Sequence, residues 1–433
     1  MDKFLDKIFF RSKNLDYISQ NLKDITNKTP ANKIFKAIND YSESSEVRYV
    51  GGCIRKIIKQ ENVDDIDLTT NLKPNEVCEA LKAKDINFYE TGIEHGTVTA
   101  IIDKYKYEIT SLRKDIKTDG RHAEVIFTDD WEKDSERRDF TINAIYFDRK
   151  GKIFDPQQGV KDLRNKVVKF IGDPSKRIQE DYLRIIRFIR FTLQYNQQYF
   201  EPSTIEAIKL NLYGINNLSK ERVLDEIFKI LRLNNFVKIE KNNELKVIFS
   251  IIFPELKNLD YLKRIDLIPN SELPKIDFKT ILALLLIDGS NNHEYFCHKY
   301  KVSNLIRERL NILSQSLKKY ETDKNFFKKN IKKNIYYLGK EIMKEISLLV
   351  FCKNARLRYE ELKKIISNIE NTKIPKFPYN GEYLIKKGFV EGKQIGRALK
   401  ELEMKWIEND YNLPEKNIAS IISKIKKSDI LNF

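Results

Sequence analysis

The sequence predicts an α+β fold: an N-terminal head with a mixed β-sheet and flanking helices, followed by an elongated all-α neck, body and tail. Three observations lead there. Short runs with period-two alternation, broken by turn residues and helical stretches, fill the chain only as far as about residue 150. The character changes at Asp173-Pro174, after which apolar residues recur at helical spacing. A length of 433 residues, 41% of them hydrophobic, suits two to four domains with their own cores.

Residues 1 to about 45 read as helical, with Leu5, Ile8, Phe9 and later Ile34, Phe35 and Ile38 at helical spacing. Val47 to Val50 reads as a strand running into Gly51-Gly52. Val47 and Tyr49 share one face of it, and Arg48 and Val50 the other. Ile54 to Gln60 opens a helix and Asp65 to Thr69 is a strand. Asn75 to Lys82 is a helix whose preceding Pro74 suits a first turn. Thr97 to Ile102 and Lys106 to Leu112 alternate and read as paired strands around Asp103-Lys104. Val125 to Phe127 and Ala144 to Phe147 are short strands, the second closed by Asp148-Arg149-Lys150-Gly151. Ile178 to Gln194, Pro202 to Leu210 and Lys220 to Leu231 read as helices. The rest is Lys-rich and amphipathic, with a turn cluster at Lys373 to Gly381 and no strict repeat. The expected division is a head over 1–165, a neck over 166–235, a body over 236–372 and a tail over 373–433.

Lys and Arg number 79 against 63 Asp and Glu, a net charge of +16. That excess suits a polyanionic partner, nucleic acid or a membrane surface, although Lys is abundant throughout. The four cysteines, Cys53, Cys78, Cys297 and Cys352, form no CxxC pair, which argues against a zinc knuckle or a disulfide framework. The first residues are mixed in charge without a long apolar core, and no apolar run approaches the about 18–20 residues of a membrane span. A cytoplasmic location, away from membranes, is the expectation.

Three stretches carry chemistry. In the first, Asp65 and Asp67 sit at i and i+2 of a strand, so both carboxylates face one side. Such a pair is a hard-oxygen site suited to Mg²⁺. The Gly51-Gly52 turn just upstream lets backbone N–H groups approach a phosphate, and Arg55 follows it. Either element alone is more often a surface turn or an acidic strand end; together they suggest metal-assisted phosphoryl or nucleotidyl transfer. Glu108, on a neighbouring strand, is the candidate third carboxylate, against the ordinary explanation of an exposed Glu. The second stretch is Glu136 to Ala144. Its adjacent Arg137 and Arg138 suit triphosphate oxygens and Asn143 a ribose hydroxyl. A charged helix start capped by Asp139 explains it equally. In the third, Glu180 to Phe191, one helix would carry Asp181, Arg184, Arg187 and Arg190 at successive i+3 steps, beside an apolar row of Leu183, Ile186 and Ile189. A solvated ion-paired face is the bland explanation. The sharper one is an Asp and an Arg offering an acceptor and a donor fork to a base edge.

These motifs resemble, in order, those of the class II tRNA nucleotidyltransferases, the CCA-adding enzymes of the polymerase-beta-like superfamily, and especially their alphaproteobacterial members. The likeness runs from about Tyr49 to Leu231: V-G-G-C-I-R, D-I-D-L-T-T, R-R-D-F-T-I-N-A, F-I-G-D-P, E-D-Y-L-R-I-I-R-F-I-R-F and L-S-K-E-R-V-L-D-E. Gly381 to Leu399 is similar to the family's C-terminal part more weakly. The resemblance implies that Asp65 and Asp67 bind the metal. It places Gly52, Arg55 and Arg138 at the triphosphate. Asp181 and Arg184 would read the base of CTP and then ATP, braced by Glu180, with Arg187 and Arg190 as further contacts. Arg113 to Val125 would be a flexible loop tied to the switch from C to A addition. Glu221, Arg222 and Glu226 would steady the neck.

The implied activity is addition of CCA to tRNA 3′ ends from CTP and ATP with Mg²⁺ and without a nucleic-acid template. The partner is the tRNA acceptor and T-arm region, with no obligate protein partner evident. Sibling activities, poly(A) synthesis or partial CC- or A-addition, are the nearest rivals, and a catalytically silent tRNA-binding protein is the rival of another class. Lys56 stands where the family usually has Asp after the Arg of the Gly-Gly motif. Only His95, His122, His293 and His298 occur, with no His-Asp dipeptide, so no phosphohydrolase activity is expected.

Overall fold

The structure, a computed structural model, describes residues 20–21, 24–27, 29–59, 61, 63, 66–90, 92–103, 105–118, 123–195, 197, 199–269, 276–389 and 392–430. The chain forms two compact units. One comprises Met1–Asp266 with Glu294–Ser303, the other Leu267–His293 with Asn304–Phe433. The expected α+β class holds.

The first unit is built on a seven-stranded mixed sheet. Its strands are β1 (Val47–Val50), β2 (Ile66–Thr70), β3 (Asn87–Tyr89), β4 (Thr97–Ile102), β5 (Tyr105–Ser111), β8 (Tyr146–Phe147) and β9 (Ile153–Phe154), in the order β3-β4-β5-β2-β1-β8-β9. Only β2 and β5 pair in parallel among these neighbours. The alternation read from the sequence divides the sheet into two faces. Val47, Tyr49, Leu68, Val98, Ala100, Tyr107 and Ile109 lie on the apolar one, all buried. Helices α1 (Ala31–Asn39) and α3 (Pro74–Lys82) belong to this side. In α1, Ile34, Phe35 and Ile38 are fully buried, and Phe35 meets the Tyr49 ring at 4.9 Å. Each such side chain contributes roughly 1.5–3 kcal/mol. Asp67, Thr69, Thr97, Thr99, Glu108 and Thr110 share the other, polar face.

Two expectations are corrected. Arg113 to Val125, expected as a loop, contains a separate two-stranded antiparallel sheet of β6 (Arg113–Thr118) and β7 (Ala123–Phe127), with a bulge between Asp115 and Lys117. Residues 119–122 lie outside the described residues. The helix expected over Ile178 to Gln194 is two helices, α6 (Pro174–Glu180) and α7 (Leu183–Tyr195). Asp181 between them is extended (φ −154°, ψ 103°), and its Oδ1 accepts from the Leu183 amide at 3.1 Å. An Asp that satisfies an unpaired first-turn N–H starts a new helix instead of continuing the old one. The Tyr182 ring then packs onto Gly214, where a Cβ would come within 2.0 Å of it.

Helix α7 is buried almost all round, from Leu183 to Tyr195. An aromatic cluster joins it to the segments after α4 (Trp131–Glu136) and after α5 (Gly159–Arg164): Phe140 lies 4.8 Å from Phe170 and 5.6 Å from Phe191, and Phe170 stacks on Phe188 at 5.7 Å. Helices α8 (Pro202–Asn211) and α9 (Lys220–Leu231) follow.

In the second unit, α10 (Phe278–Leu286) is an apolar helix buried from Thr280 onward. Against it pack α11 (Asn304–Thr322) and α12 (Ile331–Lys353), and α13 (Tyr359–Asn371) packs on α12. The non-helical stretch over 372–380 matches the expected turn cluster. Beyond it, α14 (Gly381–Lys386), α15 (Lys393–Glu408) and α16 (Glu415–Ile430) close on Leu384, Leu402, Trp406 and Ile418. No helix among the described residues is long and apolar enough to cross a membrane.

Candidate active site

The site begins at the end of β1. Gly51 takes φ +73°, a conformation that L side chains rarely adopt, and helix α2 (Gly52–Ile58) starts immediately after it. A side chain here would also meet Asp67: a Cβ on Gly51 would lie 3.2 Å from Asp67 Oδ2, and one on Gly52 3.6 Å from it. The glycine pair is therefore a cradle for the Asp67 carboxylate. Asp65 lies outside the described residues. Glu108 stands beside Asp67 in the β2–β5 register, exposed, with Lys106 Nζ 2.7 Å from its Oε1. Among the described residues no group of three or more His, Cys, Asp or Glu is gathered for a metal. Asp67 and Glu108 alone are two hard-oxygen donors on one face, a donor set that fits a divalent cation. Lys56, the departure noted above, sits in the last turn of α2, where the helix dipole favours a cation.

Arg55 reaches from α2 toward α7. Its Nε donates to the Tyr195 hydroxyl at 2.9 Å, its Nη1 to Asn143 Oδ1, and its guanidinium lies 4.9 Å over the Phe191 ring. Its Nη2 lies 3.8 Å from where a Gly52 side chain would begin. Asn143 passes the connection on, donating from Nδ2 to Asp139 Oδ1 at 2.6 Å. Arg187 Nε donates to Asp139 Oδ2 at 2.7 Å. Burial opposes the charge on Asp139, yet Arg187 beside it and the Asn143 amide hold its carboxyl well below the usual carboxylate range. Asp139 is thus a junction between the head and α7, not a helix cap.

Arg137 and Arg138 both converge on buried Asp134. Arg137 Nε is 2.8 Å from Oδ1; Arg138 Nη2 is 3.0 Å from Oδ2. Tyr146 donates to the same carboxylate at 2.9 Å, and Arg138 Nη1 reaches the Asn143 carbonyl at 3.4 Å. Burial raises the Asp134 pKa and the two arginines outweigh it, leaving it lowered to about 2.

At the break between α6 and α7, Asp181 and Arg184 have different partners. Asp181 Oδ2 accepts from Arg222 Nη2 at 2.7 Å. Arg184, only 8% exposed, donates to Glu180 at 2.6 Å, to the Arg177 carbonyl at 2.7 Å and to the Arg137 carbonyl at 3.3 Å. Glu180 also accepts from Arg177, which in turn caps the Arg137 and Arg138 carbonyls. Arg190 Nε donates to buried Glu226 at 2.7 Å, which Lys229 also meets at 3.0 Å. Glu221 is exposed and pairs with Lys301 at 2.9 Å. The structure thus brings Gly51, Gly52, Arg55, Asp67, Glu108, Asn143 and Arg187 into one connected region.

Sequence reasoning missed Arg177, Asp134, Tyr146 and Tyr195. The spacing of Asp134 to Arg137 and Arg138, i+3 and i+4 at the end of α4, was a usable signal. Tyr195, 140 residues from Arg55, had none.

Comparison with known proteins follows the same lines. The family model of the Poly A polymerase head domain matches residues 47–169, and that of the probable RNA and SrmB-binding site of polymerase A matches 199–259. The mitochondrial CCA tRNA nucleotidyltransferase 1 of Danio rerio is 33% identical over 388 residues, covering 88% of this chain and 87% of that protein. Among solved structures, the Bacillus stearothermophilus CCA-adding enzyme in complex with CTP aligns with a TM-score of 0.70 at 20% identity, over 92% of this chain and 98% of that one. The Thermotoga maritima CCA-adding enzyme complexed with tRNA aligns at 0.60 and 21% identity, over 91% and 94%. At such identities these structures speak for the fold alone.

Proposed function

The chain belongs to the class II CCA-adding tRNA nucleotidyltransferases, and from that premise we propose how its own residues divide the work. The enzyme adds CCA to the 3′ end of tRNA from CTP and ATP. In each step the terminal ribose oxygen bonds to the α-phosphorus of the nucleotide, the bond to the β-phosphate bridge breaks, and pyrophosphate leaves.

The observation that carries the assignment is the meeting of Asp67, the Gly51-Gly52 cradle and the Arg55 fork at one turn. Asp67 and Asp65 would hold Mg²⁺, with Glu108 as the neighbouring carboxylate. When bound, the metal supplies charge stabilisation to the attacking and leaving oxygens. Gly51 and Gly52 let the backbone approach the phosphates, and Arg55 neutralises them. Asn143, expected at a ribose hydroxyl, acts instead by holding Arg55 and Asp139. Arg138, expected at the triphosphate, acts from behind by holding the Asn143 carbonyl and Asp134. Asp181 and Arg184 select the base, with Glu180, Arg187 and Arg190 beside them and Glu221 and Arg222 steadying the neck. Residues 1–165 are the catalytic head, 166–235 the base-selecting neck, and 236–372 and 373–433 a basic body and tail for the tRNA acceptor and T-arm. RNA helices are recognised mainly by shape and backbone, which a Lys-rich helical surface suits. A cytoplasmic setting accords with four cysteines that are all unbridged.

The test is nucleotide addition by the purified protein with CTP alone, ATP alone and both, on tRNAs ending at each stage of the tail. The expected result is CC from CTP alone on a tRNA lacking CCA, and completion only with ATP. Failure to extend any substrate would refute the reading. Open-ended A addition would point to poly(A) synthesis instead.

A further inference from the structure

We propose that Tyr195 is a positioning residue for nucleotide binding: its hydroxyl sets the attitude of Arg55, so that the outer edge of the guanidinium faces the Gly51-Gly52 turn. This rests on the reading of Arg55 as a triphosphate contact.

The guanidinium is a planar fork, so two held nitrogens determine where the third points. Tyr195 holds Nε at 2.9 Å and Asn143 holds Nη1. The remaining Nη2 is thereby directed to the turn, 3.8 Å from where a Gly52 side chain would begin. Tyr195 is itself immobilised. It is 2% exposed, and its ring stacks parallel to Phe191 with centroids 6.1 Å apart and 1° between planes. Lys59, one turn after Arg55 at the end of α2, lies 4.1 Å from the Tyr195 ring centroid. The hydroxyl is therefore presented at a defined point from α7 to a side chain on α2.

A phenylalanine would supply the same stack and the same ring for Lys59. The hydrogen bond to Arg55 comes from the hydroxyl, so packing alone does not account for a tyrosine here. Burial pushes the Tyr195 pKa up, and the group stays a neutral phenol that accepts a hydrogen bond from Arg55 without neutralising the arginine's charge. Arg55 therefore keeps its full charge for an anionic ligand while its direction is restrained. Less orientational freedom is then lost when the triphosphate arrives.

The test uses the full-length enzyme in steady state, with CTP on tRNA lacking CCA and ATP on tRNA ending in CC. Tyr195→Phe is expected to raise KM for both nucleotides roughly tenfold, the effect of one hydrogen bond to a charged group. The kcat and the KM for tRNA should not change. Competitive inhibition by cytidine, which has no phosphates, should be unaffected. In an Arg55→Ala background, Tyr195→Phe should add nothing further. Wild-type nucleotide KM in Tyr195→Phe would overturn the proposal. So would additivity in that double variant, equal weakening of cytidine and CTP, or a Tyr195→Phe protein that does not fold. Arg55→Ala with an unchanged nucleotide KM would instead sink the reading of Arg55 itself.

Discussion

The Asp181 carboxylate is held by Arg222, 41 residues away, at 2.7 Å, and not by Arg184 three residues on. Its two oxygens have separate duties: Oδ1 starts α7 and Oδ2 meets the Arg222 guanidinium. Both side chains are partly exposed, so the pair is worth about 1 kcal/mol. Arg222→Ala should leave Asp181 free to rotate and raise misincorporation of UTP or GTP roughly fivefold, with little change in correct CTP addition. Single-nucleotide incorporation ratios measure this; unchanged ratios would remove Arg222 from base selection.

Arg184→Ala should impair base selection more than tRNA binding. Arg184 also bonds Glu180 and two backbone carbonyls. Its loss should therefore destabilise the first unit by about 2 kcal/mol through unpaired polar groups. Incorporation fidelity, a tRNA binding isotherm and a denaturation midpoint separate the three effects. Equal loss of fidelity and tRNA affinity would count against the base-reading role.

Asp134 makes the first unit acid-sensitive in a defined window. Its folded pKa, about 2, is depressed from the ordinary 3.8. A depressed carboxylate stabilises the fold above about pH 4 and withdraws that stability as pH falls toward 2; the contribution is on the order of 2 kcal/mol. Asp134→Asn should lower the urea midpoint at pH 7 and flatten its fall between pH 4 and 2. A variant whose pH profile parallels the parent's would show that the arginines do not stabilise the charge.

Gly51→Ala carries two penalties. The backbone at φ +73° costs about 1–2 kcal/mol with a side chain. The new Cβ also sits 3.2 Å from Asp67 Oδ2 and must shift it. A carboxylate moved by a few tenths of an ångström should cost roughly tenfold in kcat, with tRNA affinity intact. Full activity in Gly51→Ala would mean that Asp67 does not need this cradle.

The parts legible in the sequence were those with a local period. The strands Val47–Val50 and Thr97–Ile102 and the helix Lys220–Leu231 lie where alternation or helical spacing placed them. Side chains that share a strand face, such as Asp67 and Thr69, follow from the same rule. The break at Asp181 was hidden because Ile178, Tyr182, Ile185 and Ile189 keep helical spacing across it. The deciding contacts are one side-chain cap and a ring seated on Gly214, 32 residues beyond it. Asp139 looked like a cap because its true partner, Arg187, is 48 residues away. Lys56 proved compatible with its helix for a positional reason, its place in the last turn, which the motif alone did not reveal.

In the strand order β3-β4-β5-β2-β1-β8-β9, β2 is the middle strand of seven. Its backbone is paired on both edges, to β1 and to β5, as central strands at the high end of local stability are. Asp67 is mounted on this central strand, and Asp181 at an extended joint between two helices. The two carboxylates thus stand on differently supported backbone, one on a strand paired along both edges and one held by side-chain contacts at a helix start.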